Sequence, residues 1–122
     1  DAPATGISIG LDRLVYALMQ KKEFKIKQTK PIIICVFEKN LMREYINLQT
    51  ILRSEGISTE IYPGEGKLKK QMEYANKIKS PAVILYGENE IKISKPTLRN
   101  LVSGNEKSIS IKELANEIKK II

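Results

Sequence analysis

The 122-residue sequence predicts an α/β fold, a three-layer α/β/α domain built on a mixed sheet of about five strands. Between residues 31 and 86, segments with the pattern of strands alternate with segments of helical periodicity. The first strand, residues 31–37, is a continuous apolar run, which is typical of a strand buried on both faces of a parallel sheet. Beyond residue 86 two short strands are predicted to turn back, and this makes the sheet mixed.

Residues 1–22 are predicted to be a separate unit that precedes this domain. Residues 5–10 alternate in the manner of a strand, and residues 11–19 place apolar side chains at helical spacing. Gly10 permits the sharp turn between the two elements. Residues 23–30 are polar and rich in lysine, so we expect an exposed linker there and a second domain over residues 31–122.

Within the second domain, a helix is predicted to start at an N-cap on Asn40 and to reach residue 54. Gly56 is the expected stop, and residues 57–62 form the second predicted strand. A turn at residues 63–66 then opens a second helix over residues 67–79. Its predicted buried face consists of Leu68, Met72, Ala75 and Ile78.

The last third of the chain is predicted to complete the sheet and cover it. Residues 82–86 form the third strand, and two further strands are expected around residues 91–99 and 107–110. A terminal helix is predicted over residues 112–122. Ser110 stands at its N-cap, with Glu113 at the capping-box position.

Several classes of function are disfavoured by composition. The chain contains no histidine and one cysteine, so a zinc-site spacing and the usual general base are both missing. Cys35 lies in an apolar run and is predicted to be an inert core residue. The longest apolar run, residues 32–37, is far too short to cross a membrane, and the first residues do not resemble a signal peptide. We therefore expect a cytoplasmic protein without a membrane partner.

The net charge of +7 makes a polyanion the expected partner, with nucleic acid favoured over an acidic membrane. A merely solvated lysine-rich surface is the alternative, because lysine greatly outnumbers arginine. Residues 6–14, Gly-Ile-Ser-Ile-Gly-Leu-Asp-Arg-Leu, would direct backbone amides and a helix N-terminus at one point, as anion sites do. Arg13 would then face a phosphate, unless Arg13 and Asp12 only pair with each other or face water.

That segment resembles motif 3 of the class II aminoacyl-tRNA synthetases, in the form found in histidyl-tRNA synthetases. The resemblance implies that Arg13 holds the terminal phosphate of ATP and that Gly10 lets the nucleotide approach closely. It also implies that the full-length enzyme uses ATP and magnesium.

A longer resemblance covers most of the remaining chain. Residues 66–78 and 81–88 resemble a helix and a strand of the anticodon-binding domain in that family, and residues 96–106 resemble the strand–turn–strand that follows. The resemblance implies a domain that binds histidine tRNA within a ligase that joins histidine to tRNA using ATP. The full-length enzyme would be a homodimer, and the present chain, which has neither motif 1 nor motif 2, is expected to be inactive alone.

Candidate RNA contacts follow from the position of polar groups. Lys67, Lys69 and Lys70 begin the helix after the turn, where ammonium groups and free amides attract phosphate or a base edge, and Gln71 is a candidate to hydrogen-bond a base. On the later hairpin, the candidates to contact the RNA backbone are Lys95, Arg99 and Asn100; a charged edge strand that resists aggregation is the alternative interpretation of these residues. Tyr62 and Phe37 are candidates to stack on a base, although core packing is the favoured interpretation of both.

Two other functions remain open at this point. The chain would also suit a histidyl-synthetase-like regulatory subunit of histidine biosynthesis that acts by protein contacts. Alternatively, it is a generic α/β module that binds a small ligand at the carboxyl ends of the parallel strands, near Glu38, Pro63 and Gly87.

Overall fold

The computed structural model describes residues 2–21 and 29–122. Most of the predicted linker, residues 22–28, therefore lies outside the described residues. In chain order the elements are α1 (Leu11–Met19), β1 (Ile32–Ile34), a 3-10 turn (Lys39–Leu41), α2 (Met42–Ser54), β2 (Thr59–Ile61), α3 (Leu68–Lys77), β3 (Ala82–Leu85), α4 (Glu88–Ile93), β4 (Thr97–Asn100), β5 (Glu106–Ser108) and α5 (Ile111–Ile121).

The five strands form one mixed sheet in the order β2-β1-β3-β4-β5. β1 lies between β2 and β3 and is parallel to both, whereas β4 is antiparallel to β3 and to β5. The predicted mixed, five-stranded sheet is confirmed. Because the three parallel strands run in the same direction, their carboxyl ends share one edge of the sheet.

Helices cover both faces of the sheet, which confirms the three layers. Ile32 and Ile34 of β1 pack in a cluster with residues of α2 and α5. The intervening Ile33, together with Cys35, packs in a second cluster with Ala75 of α3. The β1 isoleucines have no exposed surface, so the apolar run is buried on both faces, and each such side chain contributes about 1.5–3 kcal/mol of transfer free energy.

The predicted strand over residues 91–99 is wrong in its first half. Residues Glu88–Ile93 form α4, and β4 begins at Thr97. Two glutamates in the first turn stabilise this helix, because their negative charge lies at the positive end of the helix dipole. In addition, the Glu90 carboxylate accepts a hydrogen bond from the Gly87 N–H at 3.0 Å. The turn into β4 is made by Ser94, whose φ of 52° is left-handed.

Two further local predictions differ from the structure. Described residues 2–10 contain no strand, because a strand needs a neighbour for its backbone groups and no described segment pairs with them. Asn40 is not an N-cap, since it lies inside the 3-10 turn that precedes α2. Gly56 does end α2 in a left-handed conformation, with a φ of 76°. Ser110 holds the N-cap position of α5, but its side chain makes no capping hydrogen bond.

The end of α3 offers a stabilising substitution. Lys79 follows the helix with a φ of 59°, and the next amide, of Ser80, donates to the Ala75 carbonyl at 2.9 Å. This is the hydrogen bond of a Schellman motif, in which glycine is preferred because it lacks the Cβ that crowds the left-handed conformation. We expect Lys79→Gly to raise the free energy of unfolding by about 0.5–1 kcal/mol.

Urea denaturation of Lys79→Gly and of the control Lys77→Gly tests this expectation. Lys77 is the last residue of α3, where glycine is expected to cost about 0.5–1 kcal/mol. A loss of stability in both variants would show that the left-handed residue is not under strain.

Candidate nucleic-acid interface

Two adjacent clefts lie at the carboxyl edge of the parallel strands. β1 lies between β2 and β3 in the sheet. α2 connects β1 to β2 on one face and α3 connects β2 to β3 on the other, so the two crossover helices leave this edge on opposite faces of the sheet. Open α/β sheets bind ligands at such a point. Both clefts are lined by Phe37, which follows β1.

The first cleft is formed by Val36, Phe37, Lys39, residues 64–66 and Gln71. Its floor is the loop of residues 64–66, in which a glycine stands on each side of Glu65. Gly66 has a φ of 153°, and a Cβ there would lie 2.8 Å from Cδ of Lys70. The loop therefore presents bare backbone to solvent, directly before the first turn of α3.

Three lysines surround this loop at the start of α3. Lys67 is the N-cap residue, and Lys69 and Lys70 occupy the first turn; all three side chains are exposed. Among the described residues none of them has a carboxylate within 4.0 Å. Lys67 makes no side-chain cap, so the first amides of the helix keep their donors for another acceptor. Positive charge and free N–H groups are thus both present at the start of α3, where a phosphate would be stabilised.

Lys39 contributes less positive charge than its position suggests. Its ammonium group pairs with the Glu65 carboxylate across the mouth of the first cleft. That hydrogen bond and the charge of Lys39 lower the pKa of Glu65, so the carboxylate remains ionised at neutral pH. Both side chains are largely exposed, and such pairs exchange readily with solvent or with a charged ligand.

Gln71 is placed inside the fold rather than on the surface. Its side chain is 2% exposed, and its Oε1 accepts from the Val36 N–H at 2.8 Å. Its Nε2 donates to the carbonyls of Val36 and Gly66, at 2.6 and 3.0 Å. Both amide hydrogens are thereby used, so Gln71 joins the end of β1 to the glycine loop and does not present its amide to a base.

The burial of Gln71 is indicated by its position in the sequence. Gln71 stands three residues after Leu68 and four before Ala75, so it lies on the helix face already assigned to the core. A polar residue on such a face is expected to satisfy buried backbone groups.

The second cleft is acidic, in contrast to the first. It is lined by Phe37, Glu38, Gly87 and residues 88–90. The Glu90 carboxylate accepts a hydrogen bond from the Gly87 N–H. Glu88 is exposed and has no cation within 4.0 Å among the described residues. The carboxyl edge therefore has a basic side next to α3 and an acidic side next to α4.

The other three residues predicted to contact RNA lie apart from the lysines at the start of α3. Lys95 lines a different depression with residues of β5 and α5. Arg99 pairs with Glu106 at 3.2 Å across the β4–β5 hairpin. The Asn100 carboxamide oxygen accepts from the amides of Val102 and Ser103 and so closes the hairpin, at the opposite edge of the sheet.

The two candidate stacking residues behave differently. Tyr62 is 7% exposed and packs edge-on against Tyr74, with ring centroids 5.4 Å apart, so the expected core packing is confirmed. Core packing is wrong for Phe37, whose side chain is 45% exposed. β1 ends at Ile34, and the chain turns away from the core before Phe37 is reached.

The edge has no evident catalytic group. Cys35 is fully buried beneath it, and burial raises the pKa of its thiol to about 12, so it remains protonated and is not a nucleophile at neutral pH. In residues 2–21 and 29–122 no cluster of three or more histidine, cysteine or carboxylate groups is arranged to hold a metal ion. Over the same ranges, no helix is long and apolar enough to span a bilayer.

The N-terminal unit carries the two predicted ATP-binding residues. Gly10 caps α1, and the stem of the Arg13 side chain folds back to within 3.8 Å of the position that a Cβ on Gly10 would occupy. α1 has no buried residue, and Leu11, Tyr16 and Met19 are more than half exposed.

Comparisons with known proteins agree on one family. A family profile described as the anticodon binding domain matches residues 30–121. The histidine–tRNA ligase of Pelagibacter ubique is 39% identical over 127 aligned positions, which cover 100% of this chain and 27% of the relative. That of Pyrococcus horikoshii is 32% identical over 98% of this chain and 28% of the relative. The crystal structure of histidyl-tRNA synthetase from Nostoc sp. PCC 7120 superimposes with a TM-score of 0.72 and 26% identity, over 92% of this chain and 28% of that one.

Proposed function

Because the chain belongs to the anticodon binding domain family, we propose that it holds the anticodon end of a histidine tRNA for a histidine–tRNA ligase. The observation that carries the proposal is the family match over residues 30–121, combined with similarity to histidine–tRNA ligases along the whole chain. The family resemblance seen in the sequence is thereby confirmed. The proposal adds the ligand and the surface that binds it.

The proposed surface is the carboxyl edge of the sheet at the start of α3. It combines three unpaired lysines, free helix amides and a loop of bare backbone, which suits a phosphate chain entering an open cleft. Lys67, Lys69 and Lys70 are the proposed phosphate contacts, and Gln71 is proposed to hold the surface in shape. Lys95, Arg99 and Asn100 are proposed as secondary contacts at most, because they lie apart from this group.

The activity of the whole protein is also a proposal, since this chain spans about a quarter of the length of the curated relatives. We propose that the complete enzyme is a cytoplasmic homodimer that ligates histidine to tRNA with ATP and magnesium. Arg13 and Gly10 would belong to its ATP site, at the N-terminus of α1, and residues 1–22 to its catalytic domain. The 122-residue chain alone is proposed to bind tRNA without aminoacylating it.

Binding of the 122-residue chain to RNA stem-loops tests the proposal. We expect the histidine tRNA anticodon stem-loop to bind at least about 10-fold more tightly than a stem-loop of equal length with an unrelated loop. We also expect the affinity to fall steeply as salt rises, because phosphate contacts release counterions. Fluorescence anisotropy at several salt concentrations measures both effects.

Equal affinity for the two stem-loops at every salt concentration would contradict recognition of the anticodon and leave only general binding of polyanions. Absence of binding to either RNA at low salt would contradict the proposed function altogether.

A further inference from the structure

Phe37 is an exposed aromatic side chain on a backbone that is held from both layers of the fold. Its N–H donates to Oη of Tyr45, which projects from α2, at 3.2 Å. The preceding residue, Val36, is held from the other side by Gln71 of α3 through two hydrogen bonds. Because the backbone is held in place, little backbone conformational entropy is lost when a flat ligand binds to the ring.

No other aromatic side chain in residues 29–122 is exposed to this degree. Tyr45, Tyr62 and Tyr86 are buried, and Tyr74 is half-buried with its hydroxyl donating to Glu60 at 2.5 Å. An exposed phenyl ring in the middle of a binding edge costs solvation free energy in the unliganded protein. The position is therefore one at which a ligand that covers the ring gains affinity.

The ring also lies at the boundary between the basic and the acidic side of the edge. It lines the first cleft with the glycine loop and the second cleft with Gly87 and residues 88–90. It lies along the backbone of Gly87, where an added Cβ would be 3.6 Å from Cδ2 of the ring. A nucleotide seated on Phe37 would have the glycine loop that leads into α3 on one side and the Glu88 carboxylate on the other.

We infer that Phe37 is the stacking residue for one unstacked base of the bound RNA, with the phosphate toward α3 and the base edge toward Glu88. The inference rests on the proposed function and adds to it a contact and an orientation. Anticodon bases have to be unstacked to be read, and an aromatic face replaces the lost neighbour. The opposite orientation would set the phosphate against the carboxylates of the second cleft, which is electrostatically unfavourable.

The charge of the second cleft also selects the base. A carboxylate only accepts hydrogen bonds, and Glu88, like Glu38, is an acid of this cleft whose oxygens are not used by α4 or its cap. On its Watson–Crick edge guanine presents two adjacent donors, N1–H and N2–H, which a carboxylate accepts together. Adenine, cytosine and uracil each place an acceptor next to their donor on that edge, and this acceptor would face the carboxylate. The base on Phe37 is therefore assigned as guanine.

The contribution of the ring is tested with Phe37→Leu and Phe37→Trp in the 122-residue chain, titrated with the histidine tRNA anticodon stem-loop. Phe37→Leu keeps an apolar side chain but loses the aromatic face, so we expect about 10- to 100-fold weaker binding. Phe37→Trp keeps a stacking face and is expected to bind within about threefold of wild type. Ile46→Ala is the control, because Ile46 is similarly exposed, at 49%, but lies on α2.

The assignment of guanine is tested by replacing each loop guanine in turn with inosine, which lacks the 2-amino group. Wild type should lose about 5- to 20-fold in affinity at one position, and Glu88→Ala should bind the guanine and inosine forms of that RNA equally. Thermal unfolding of each variant shows whether the fold is intact.

The possible results separate the inference from the function on which it rests. If wild type prefers the histidine stem-loop and folded Phe37→Leu binds it as well as wild type does, the stacking role is wrong and the proposed function stands. If Glu88→Ala retains the preference for guanine over inosine, the contact to Glu88 is wrong, and if Glu38→Ala retains it as well, the orientation is wrong. If wild type shows no preference among stem-loops, both the inference and the proposed function are wrong.

Discussion

Replacing Gln71 by leucine is expected to lower the free energy of unfolding by about 2–4 kcal/mol, a large share of the stability of a small domain. Leucine fills a similar volume but leaves the Val36 N–H and the carbonyls of Val36 and Gly66 without their partner. A part-buried backbone group that loses its hydrogen bond costs about 1–3 kcal/mol. Gln71→Glu should be at least as damaging, because a carboxylate places a negative charge against the two carbonyl oxygens and has no hydrogen to donate.

Gln49→Leu is the matched control for this prediction. Gln49 is half-buried on α2 and donates to the Thr59 carbonyl at 3.1 Å, but that oxygen also accepts two hydrogen bonds from Arg53. Its loss leaves no group unpaired, so we expect a cost below about 1 kcal/mol. Urea denaturation measures both variants. If Gln71→Leu is no less stable than Gln49→Leu, the proposed role of Gln71 in joining β1 to the glycine loop is contradicted.

Removal of three positive charges from the start of α3 is expected to weaken RNA binding about 10- to 100-fold at low salt. The triple variant Lys67→Gln, Lys69→Gln and Lys70→Gln changes exposed side chains, so the fold should be retained. Each lost phosphate contact to single-stranded RNA reduces the slope of log affinity against log salt by roughly 0.7, so a change of about 2 is expected for three contacts. Titrations of the histidine tRNA stem-loop at four or more salt concentrations give the slope.

A second triple variant removes the same charge from the opposite layer. Lys112, Lys119 and Lys120 lie on α5, which packs on the other face of the sheet from α3, and all three are exposed. Changing them to glutamine is expected to alter affinity by less than about threefold. A similar loss in both triple variants would mean that the RNA responds to net charge and not to the carboxyl edge.

The architecture was predictable because its main signals are local. The unbroken apolar run before Phe37 marks a strand with no solvated face, and the spacing of Leu68, Met72 and Ala75 marks a helix with one. α4 was missed because isoleucines 91 and 93 alternate with charged residues, as they would in a half-exposed strand. The helix is stabilised by the hydrogen bond that the Glu90 carboxylate accepts from the Gly87 N–H. It ends at Ser94, which has a left-handed conformation.

The candidate site was less predictable, because it depends on which residues the fold brings together. The three lysines lie within four consecutive residues, so the sequence alone places them together at the start of α3. The burial of Gln71 depends on backbone groups of Val36, 35 residues earlier in the chain. The exposure of Phe37 depends on where β1 stops, and an apolar run does not contain that information.

The direction of β1 has a mechanical consequence for anything joined to the N-terminal side of this domain. The chain enters β1 at the edge opposite the two clefts and reaches Phe37 only after crossing the sheet, a path of roughly 20 Å from Pro31 at the rise of an extended chain. The attachment point and the proposed base platform thus lie beyond the two ends of one buried strand. The domain therefore sets the spacing between the segment that precedes Pro31 and the proposed base platform.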